Sequence, residues 1–340
     1  MATSAQGERG RPGGAVTTRP AAVTTGPGTG AAAAGAAGAV QRVPPTSWFL
    51  VSAVFHYLGP SLAVLLFARV EVLGVVWFRI VTAAVVFAAW RRPWRLLLRL
   101  SPAERWALAG LGALLASMNV VFYLAIDRLP LSTVGAIEFL GTVVLAAAGA
   151  RTRRNAVALV VTVGGVAALT DVRLVAHPVG FVLAFANCAG FMAYVVLGHR
   201  IANRSPGGHR GDPPSRGAMD GVDQLGAAMI VAAVVVTPIG LRGAFPAFPH
   251  PLLVLAGMGV GLCSSVIPYV TDQLAMARLP RATFALMLAL LPASATVIGL
   301  VVLGQVPTVL DLLGIGLVIA GVALHRPADA ASRPLHAKAT

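Results

Sequence analysis

From Trp48 to Leu324 the chain alternates long apolar runs with short links that carry most of its charge. A helix that crosses the hydrocarbon core needs about 20 apolar residues. Ten runs qualify as candidates: Trp48–Phe67, Val72–Trp90, Trp106–Ile126, Leu131–Ala150, Ala156–Leu169, Val179–Leu197, Leu225–Leu241, Leu252–Thr271, Ala282–Leu303 and Thr308–Leu324. The fifth is short at 14 residues, and the tenth carries Asp311 near its start. Short spans are accommodated by local thinning of the bilayer or by packing against neighbours. The pattern predicts an all-α membrane protein with ten transmembrane helices.

Residues before this pattern read differently. Positions 1–44 are mostly Ala, Gly, Thr and Pro with scattered Arg, without the aromatic and β-branched content of a core. They are expected to form a disordered cytoplasmic tail. The Ala31–Val40 stretch is too weakly apolar for a signal peptide. Residues 326–340 are read as a second cytoplasmic tail.

Composition supports lipid as the main solvent. Of 340 residues, 57% are hydrophobic and 11% are charged, and the mean hydropathy is +0.81. Soluble domains carry roughly 25% charged residues. The net charge of +14 raises nucleic acid as a partner, but a nucleic-acid footprint clusters on one exposed face, whereas these charges are dispersed between apolar runs. Their distribution reads instead as topology. With the N-terminus in the cytoplasm, 21 of the 26 basic residues fall in inside segments, four (Arg69, Arg128, Arg173, Arg242) fall outside, and Arg79 lies within a span. Such an asymmetry predicts a multi-pass plasma-membrane protein with both termini cytoplasmic. Cys188 and Cys263 sit inside apolar runs and are expected to be free thiols behaving as small apolar residues.

The two halves resemble each other. At a shift of 150 residues, Leu124-Ala125-Ile126-Asp127-Arg128-Leu129-Pro130 aligns with Leu274-Ala275-Met276-Ala277-Arg278-Leu279-Pro280, and Thr133 with Thr283. At a shift of 156, Gly165-Val166-Ala167 aligns with Gly321-Val322-Ala323. The expected organisation is one five-helix repeat over 45–172 and a second over 173–325. An odd number of helices per repeat sets the copies in opposite orientations, the plan of many secondary carriers.

Two stretches carry a family resemblance: FYLAIDRLPLSTVGAIEFLG from Phe122, and SSVIPYVTDQLAMARLPRATFALMLALLP from Ser264. They resemble the drug/metabolite transporter superfamily and, within it, the EamA-like branch that includes the bacterial threonine/homoserine exporters. The resemblance covers about residues 48–325. It implies a ten-helix inner-membrane carrier that exports amino acids or other small metabolites, coupled to the proton gradient. The chain departs from the family pattern at Thr142, where Pro is usual, and at Leu291 and Gln305, where Glu is usual. The two lost acidic positions bear on the substrate rather than on the transport class.

Polar residues within apolar spans are expensive and therefore informative. Glu138 lies near the middle of the fourth span, as a proton-coupling or cation-recognising carboxylate or as a structural hydrogen-bonding group. Arg79 lies deep in the second span. Its guanidinium fork suits a substrate carboxylate or an internal pair with Glu138. His56 falls midway along the first span. Asn119 and Tyr123 share one face of the third, and Asn187 and Tyr194 one face of the sixth, by helical spacing; either pair lines a polar cavity or joins helices. Asp272, near the inner end of the eighth span, is expected at an interface or gate. Pro268 and Pro292, inside predicted helices, are candidate bending points or static kinks.

Nucleotide, metalloprotease and serine-hydrolase motifs are absent from the sequence. No enzyme activity, cofactor or metal is expected. The expected partners are the lipid bilayer, protons and a small-molecule substrate, without nucleic acid, and a homodimer is compatible with this plan. The expected function is a secondary exporter of small polar metabolites, amino acids such as threonine and homoserine among them, by proton antiport and alternating access. An exporter of cationic or amphipathic drugs is the alternative, followed by a membrane-embedded enzyme or sensor.

Overall fold

The computed structural model describes residues 44–149, 152–170, 177–204, 214–279, 287 and 290–324. Among these residues every regular element is helical. Helices α1 (Pro45–Leu66), α2 (Val72–Arg91), α4 (Pro102–Ile126), α5 (Leu131–Gly149), α6 (Arg153–Thr170), α7 (Pro178–Arg204) and α8 (Pro214–Ala244) follow the first seven apolar runs, with a short α3 (Trp94–Arg99) inserted. The eighth run forms α9 (Pro251–Gly261), a π-helical turn (Leu262–Val266) and α10 (Ile267–Arg278) without a break. The last two runs form α11 (Leu291–Leu303) and α12 (Val309–Leu324). Among the described residues six stretches are long and apolar enough to cross a bilayer: Thr46–Leu66, Val72–Arg91, Pro102–Ile126, Pro178–Leu197, Gly221–Ala247 and Pro251–Asp272. Both tails, Arg151, Arg173, the loop holding His209 and Arg210, Arg281, and most of the start of the ninth run lie outside the described residues.

Helix ends follow local sequence chemistry. Ser101 and Glu104 form a capping box at the start of α4: the Ser101 backbone N–H donates to Glu104 Oε2 at 2.8 Å, and the Glu104 N–H donates to Ser101 Oγ at 3.4 Å. This satisfies two of the donors that every helix N-terminus leaves unpaired. At the other extreme α11 stops at Gly304, whose φ of 64° is left-handed. The N–H groups of Gly304 and Gln305 turn back to the Leu300 and Gly299 carbonyls at 3.1 and 3.0 Å, closing the last turn. The α3 segment, with exposed Trp94 and Leu98 beside Arg95, was not anticipated; six residues are too few for a legible period.

Large apolar side chains face outward, and a few charged and amide groups are buried within a mainly apolar interior. Leu252, Val301 and Val309 are among many large apolar side chains left exposed, while Arg79, Glu138, Asn119 and Asn187 are buried. A soluble protein rarely exposes so much contiguous apolar surface; lipid accommodates it. Van der Waals packing replaces the hydrophobic effect between such helices, so small residues set the close contacts. Helices α2 and α8 pack where a Cβ on Gly74 would lie 2.4 Å from the Gly243 carbonyl group. Helices α6 and α12 pack where a Cβ on Gly165 would lie 2.6 Å from the Gly314 carbonyl oxygen. At one end of the α2–α8 pair Arg91 grips Asp223 through Nε and Nη2 at 2.6 and 2.9 Å. Cys188 and Cys263 are free thiols.

Candidate functional site

Six helices converge on one small, partly open cavity. Its wall is made by His56 and Pro60 of α1, Arg79 of α2, Leu115, Met118, Asn119 and Phe122 of α4, Glu138 of α5, Asn187, Phe191 and Tyr194 of α7, and Tyr269 of α10. The two residues that carry charge deep in the apolar runs thus face one space.

Arg79 is held by the π-helical turn. Its Nε donates to Ser265 Oγ at 3.0 Å and its Nη2 to the Ser264 carbonyl oxygen at 3.1 Å. That carbonyl is available for a reason written in the sequence. Its α-helical partner would be the N–H of residue 268, and residue 268 is proline. The π turn and Pro268 together open the backbone where the guanidinium enters, and π turns are frequent at functional sites. The guanidinium also lies over the Tyr123 ring, 5.0 Å from its centroid, a cation–π contact. Tyr123 OH is 3.2 Å from Ser264 Oγ. Since Ser264 Oγ donates its own hydrogen to the Val260 carbonyl, Tyr123 is the donor in that pair. This assembly requires α1 to touch the π turn: a Cβ on Gly59 would lie 2.5 Å from the Ser264 backbone.

Glu138 is buried on α5 and feels the charge of Arg79. Among the described residues the two do not join in a direct ion pair; those that do are Arg91–Asp223 and Arg128–Asp127. Glu138 also feels the amide of Asn187, although neither polar atom of Asn187 closes a hydrogen bond within the protein. Tyr57, fully buried, leaves its hydroxyl likewise unpaired against Gly135, where a Cβ would approach it to 2.9 Å. Asn119 is anchored by donation to the Leu115 carbonyl at 2.7 Å.

Of the residues singled out from sequence, Arg79, Glu138, His56, Asn119, Asn187 and Tyr194 line the cavity. Tyr123 sits behind Arg79 rather than on the wall. Asp272 is one turn beyond Pro268 against Ser52 of α1, away from the cavity lining. Pro268 follows the π turn, with its carbonyl accepting from Thr271 Oγ1 at 3.0 Å. Pro292 occupies the first turn of α11, where a missing N–H leaves nothing unpaired; within the described helix it is no interior kink. Six wall residues went unmarked: Pro60, Leu115, Met118, Phe122, Phe191 and Tyr269. Phe191 shares the helical face already drawn through Asn187 and Tyr194. Pro60, four residues after His56, frees the His56 carbonyl as Pro268 frees that of Ser264.

These features define a multi-pass helical membrane protein with a polar cavity between its helices. The model of the EamA-like transporter family matches residues 216–325. Over 249 residues, 72% of this chain and 79% of the relative, the sequence is 30% identical to the threonine/homoserine exporter RhtA of Escherichia coli strain K12. It is 29% identical over the same length to RhtA of Salmonella typhimurium strain LT2. A solved crystal structure at 18% identity superposes with a TM-score of 0.55, covering 85% of this chain and 99% of that one, and shares the fold. The chain belongs to the EamA-like transporter family of the drug/metabolite transporter superfamily, on the branch that RhtA represents.

Proposed function

We propose that the protein is a secondary active exporter of small zwitterionic amino acids, threonine and homoserine among them, working by proton antiport and alternating access. The observation that carries this reading is the cavity that holds Arg79 and Glu138 without pairing them. Two opposite charges kept apart on one wall match a ligand with a carboxylate at one end and an ammonium at the other. The Arg79 fork, pinned through Nε and Nη2, keeps donors for the carboxylate. Glu138 receives the ammonium when ionised. When protonated, it loses that attraction, so substrate and proton compete for one carboxylate. That competition is the chemical basis of antiport. The substrates named for the RhtA relatives agree with this charge pattern.

In this reading ten helices cross the bilayer as two inverted five-helix repeats with both termini cytoplasmic. Helix packing supports it. The α2–α8 and α6–α12 pairs, which share the closest glycine contacts, each join helices that the repeat makes equivalent. Contacts between chain ends also join like sides of the proposed topology: Arg91 with Asp223, Arg154 with the Leu324 carbonyl, and Gln305 with the Leu131 N–H.

The aromatic wall of Phe122, Phe191, Tyr194 and Tyr269 would suit an organic cation through its ring faces, but Arg79 repels one. The test is counterflow in proteoliposomes with Glu138→Gln. Glutamine keeps an acceptor oxygen for the ammonium but cannot cycle a proton. Threonine exchange should persist with weakened affinity, and accumulation driven by a pH gradient should be lost. A variant that still accumulates threonine on a pH gradient would remove Glu138 from proton coupling.

A further inference from the structure

Resting on the amino-acid reading above, we infer that Asn187 is the specificity-determining residue that selects substrates bearing a side-chain hydroxyl. Asn187 is fully buried on α7, lines the cavity, and has neither its amide nitrogen nor its amide oxygen hydrogen-bonded within the protein. A buried amide left in this condition bears its whole desolvation penalty. Such a group persists where something outside the polypeptide satisfies it.

The chemistry of the missing partner follows from the amide. It offers a donor and an acceptor side by side, and a hydroxyl both accepts and donates. A second carboxylate would meet the acceptor oxygen and the nearby Glu138 with repulsion, and an aliphatic side chain would leave both amide atoms unpaired. Position points the same way. Asn187 interacts with Glu138, so the group it reads lies close to the ammonium that Glu138 holds. A hydroxyl on the first or second side-chain carbon of an amino acid meets that condition. Phe191 and Tyr194, on the same face of α7, close the wall against water and make a wrong partner costly. Discrimination then comes from penalty rather than from extra attraction, since the isostere without the hydroxyl strands a buried amide.

The test compares isosteric pairs in counterflow with purified protein in proteoliposomes: threonine against valine, and homoserine against norvaline. The wild-type protein should favour the hydroxylated member of each pair by ~10- to 100-fold in transport efficiency. In Asn187→Leu the ratio should collapse toward one, chiefly through a lower KM for the member without the hydroxyl, which no longer strands a buried amide. If Asn187→Leu is inactive toward all four, Asn187→Asp decides, because it keeps shape and acceptor but loses the donor, and its ratio should fall below that of the wild type. A ratio unchanged in the variant, or a wild-type ratio near one, overturns the role of Asn187 and leaves the amino-acid reading standing. A wild-type protein that moves none of the four overturns both.

Discussion

Replacing Arg79 by lysine keeps the charge and removes the fork. The guanidinium makes two directed hydrogen bonds to the π turn, at 3.0 Å to Ser265 Oγ and 3.1 Å to the Ser264 carbonyl. Hydrogen bonds from a charged donor contribute roughly 1.5–3 kcal/mol each. A lysine ammonium on its single-point tip reaches one of these acceptors while still facing the cavity. The variant therefore loses about 1.5–3 kcal/mol of support for the π turn. It also replaces fork recognition of a substrate carboxylate by a point contact, a further loss of about 1.5–3 kcal/mol. The second loss falls on substrate binding, and at about 1.4 kcal/mol per tenfold it raises the threonine KM by ~10- to 100-fold. Counterflow kinetics give that number, and thermal unfolding followed by size-exclusion in detergent gives the first. Transport remains measurable, because the charge remains. An unchanged KM together with a lowered unfolding temperature would refute the assignment, leaving Arg79 as a strut between α2 and the π turn.

Two other perturbations follow from geometry. Gly59→Ala places a methyl group 2.5 Å from the backbone of Ser264, which cannot swing aside; the variant should lose about 1–3 kcal/mol of stability and release Arg79 from its serine contacts, read as a lower unfolding temperature with reduced transport. Gln305 accepts from the Leu131 N–H at 3.2 Å and so caps α5, the helix carrying Glu138, from the α11–α12 link; Gln305→Ala should cost about 1 kcal/mol, visible as faster amide hydrogen exchange in the first turn of α5, while Gln305→Glu should retain the protection.

The apolar runs were legible because lipid leaves a helix few alternatives: nine of the ten runs lie in helices among the described residues, and of the ninth run the described part is chiefly its second half, Leu291–Leu303. The charged pair was legible for the same reason: a charge within a span is rare enough that Arg79 and Glu138 stood out against a background of Leu, Val and Ala. What surrounds them was not. Phe122 and Phe191 look alike in sequence whether they face lipid, core or cavity, because all three environments accept an aromatic ring. The partners of Arg79 were hidden too. A substrate carboxylate and Glu138 suggested themselves, whereas the immediate contacts are Ser264 and Ser265. Only the three-dimensional crossing of α2 with the π turn brings residues so distant in sequence together. Pro268 held a usable clue, since a proline four residues after Ser264 predicts an unpaired carbonyl that some donor must satisfy. Tyr123 shows the limit of face spacing: it shares a face with Asn119 yet packs behind Arg79.

Movement of zwitterionic amino acids against protons through the cavity is open to one direct assay. Purified wild-type protein in proteoliposomes free of internal threonine, with labelled threonine outside and the interior made acidic, puts this to the test. Labelled threonine should accumulate inside to a level that rises with the gradient and falls away when an ionophore collapses it. Labelled threonine that never exceeds the level in protein-free vesicles, with or without the gradient, would contradict it.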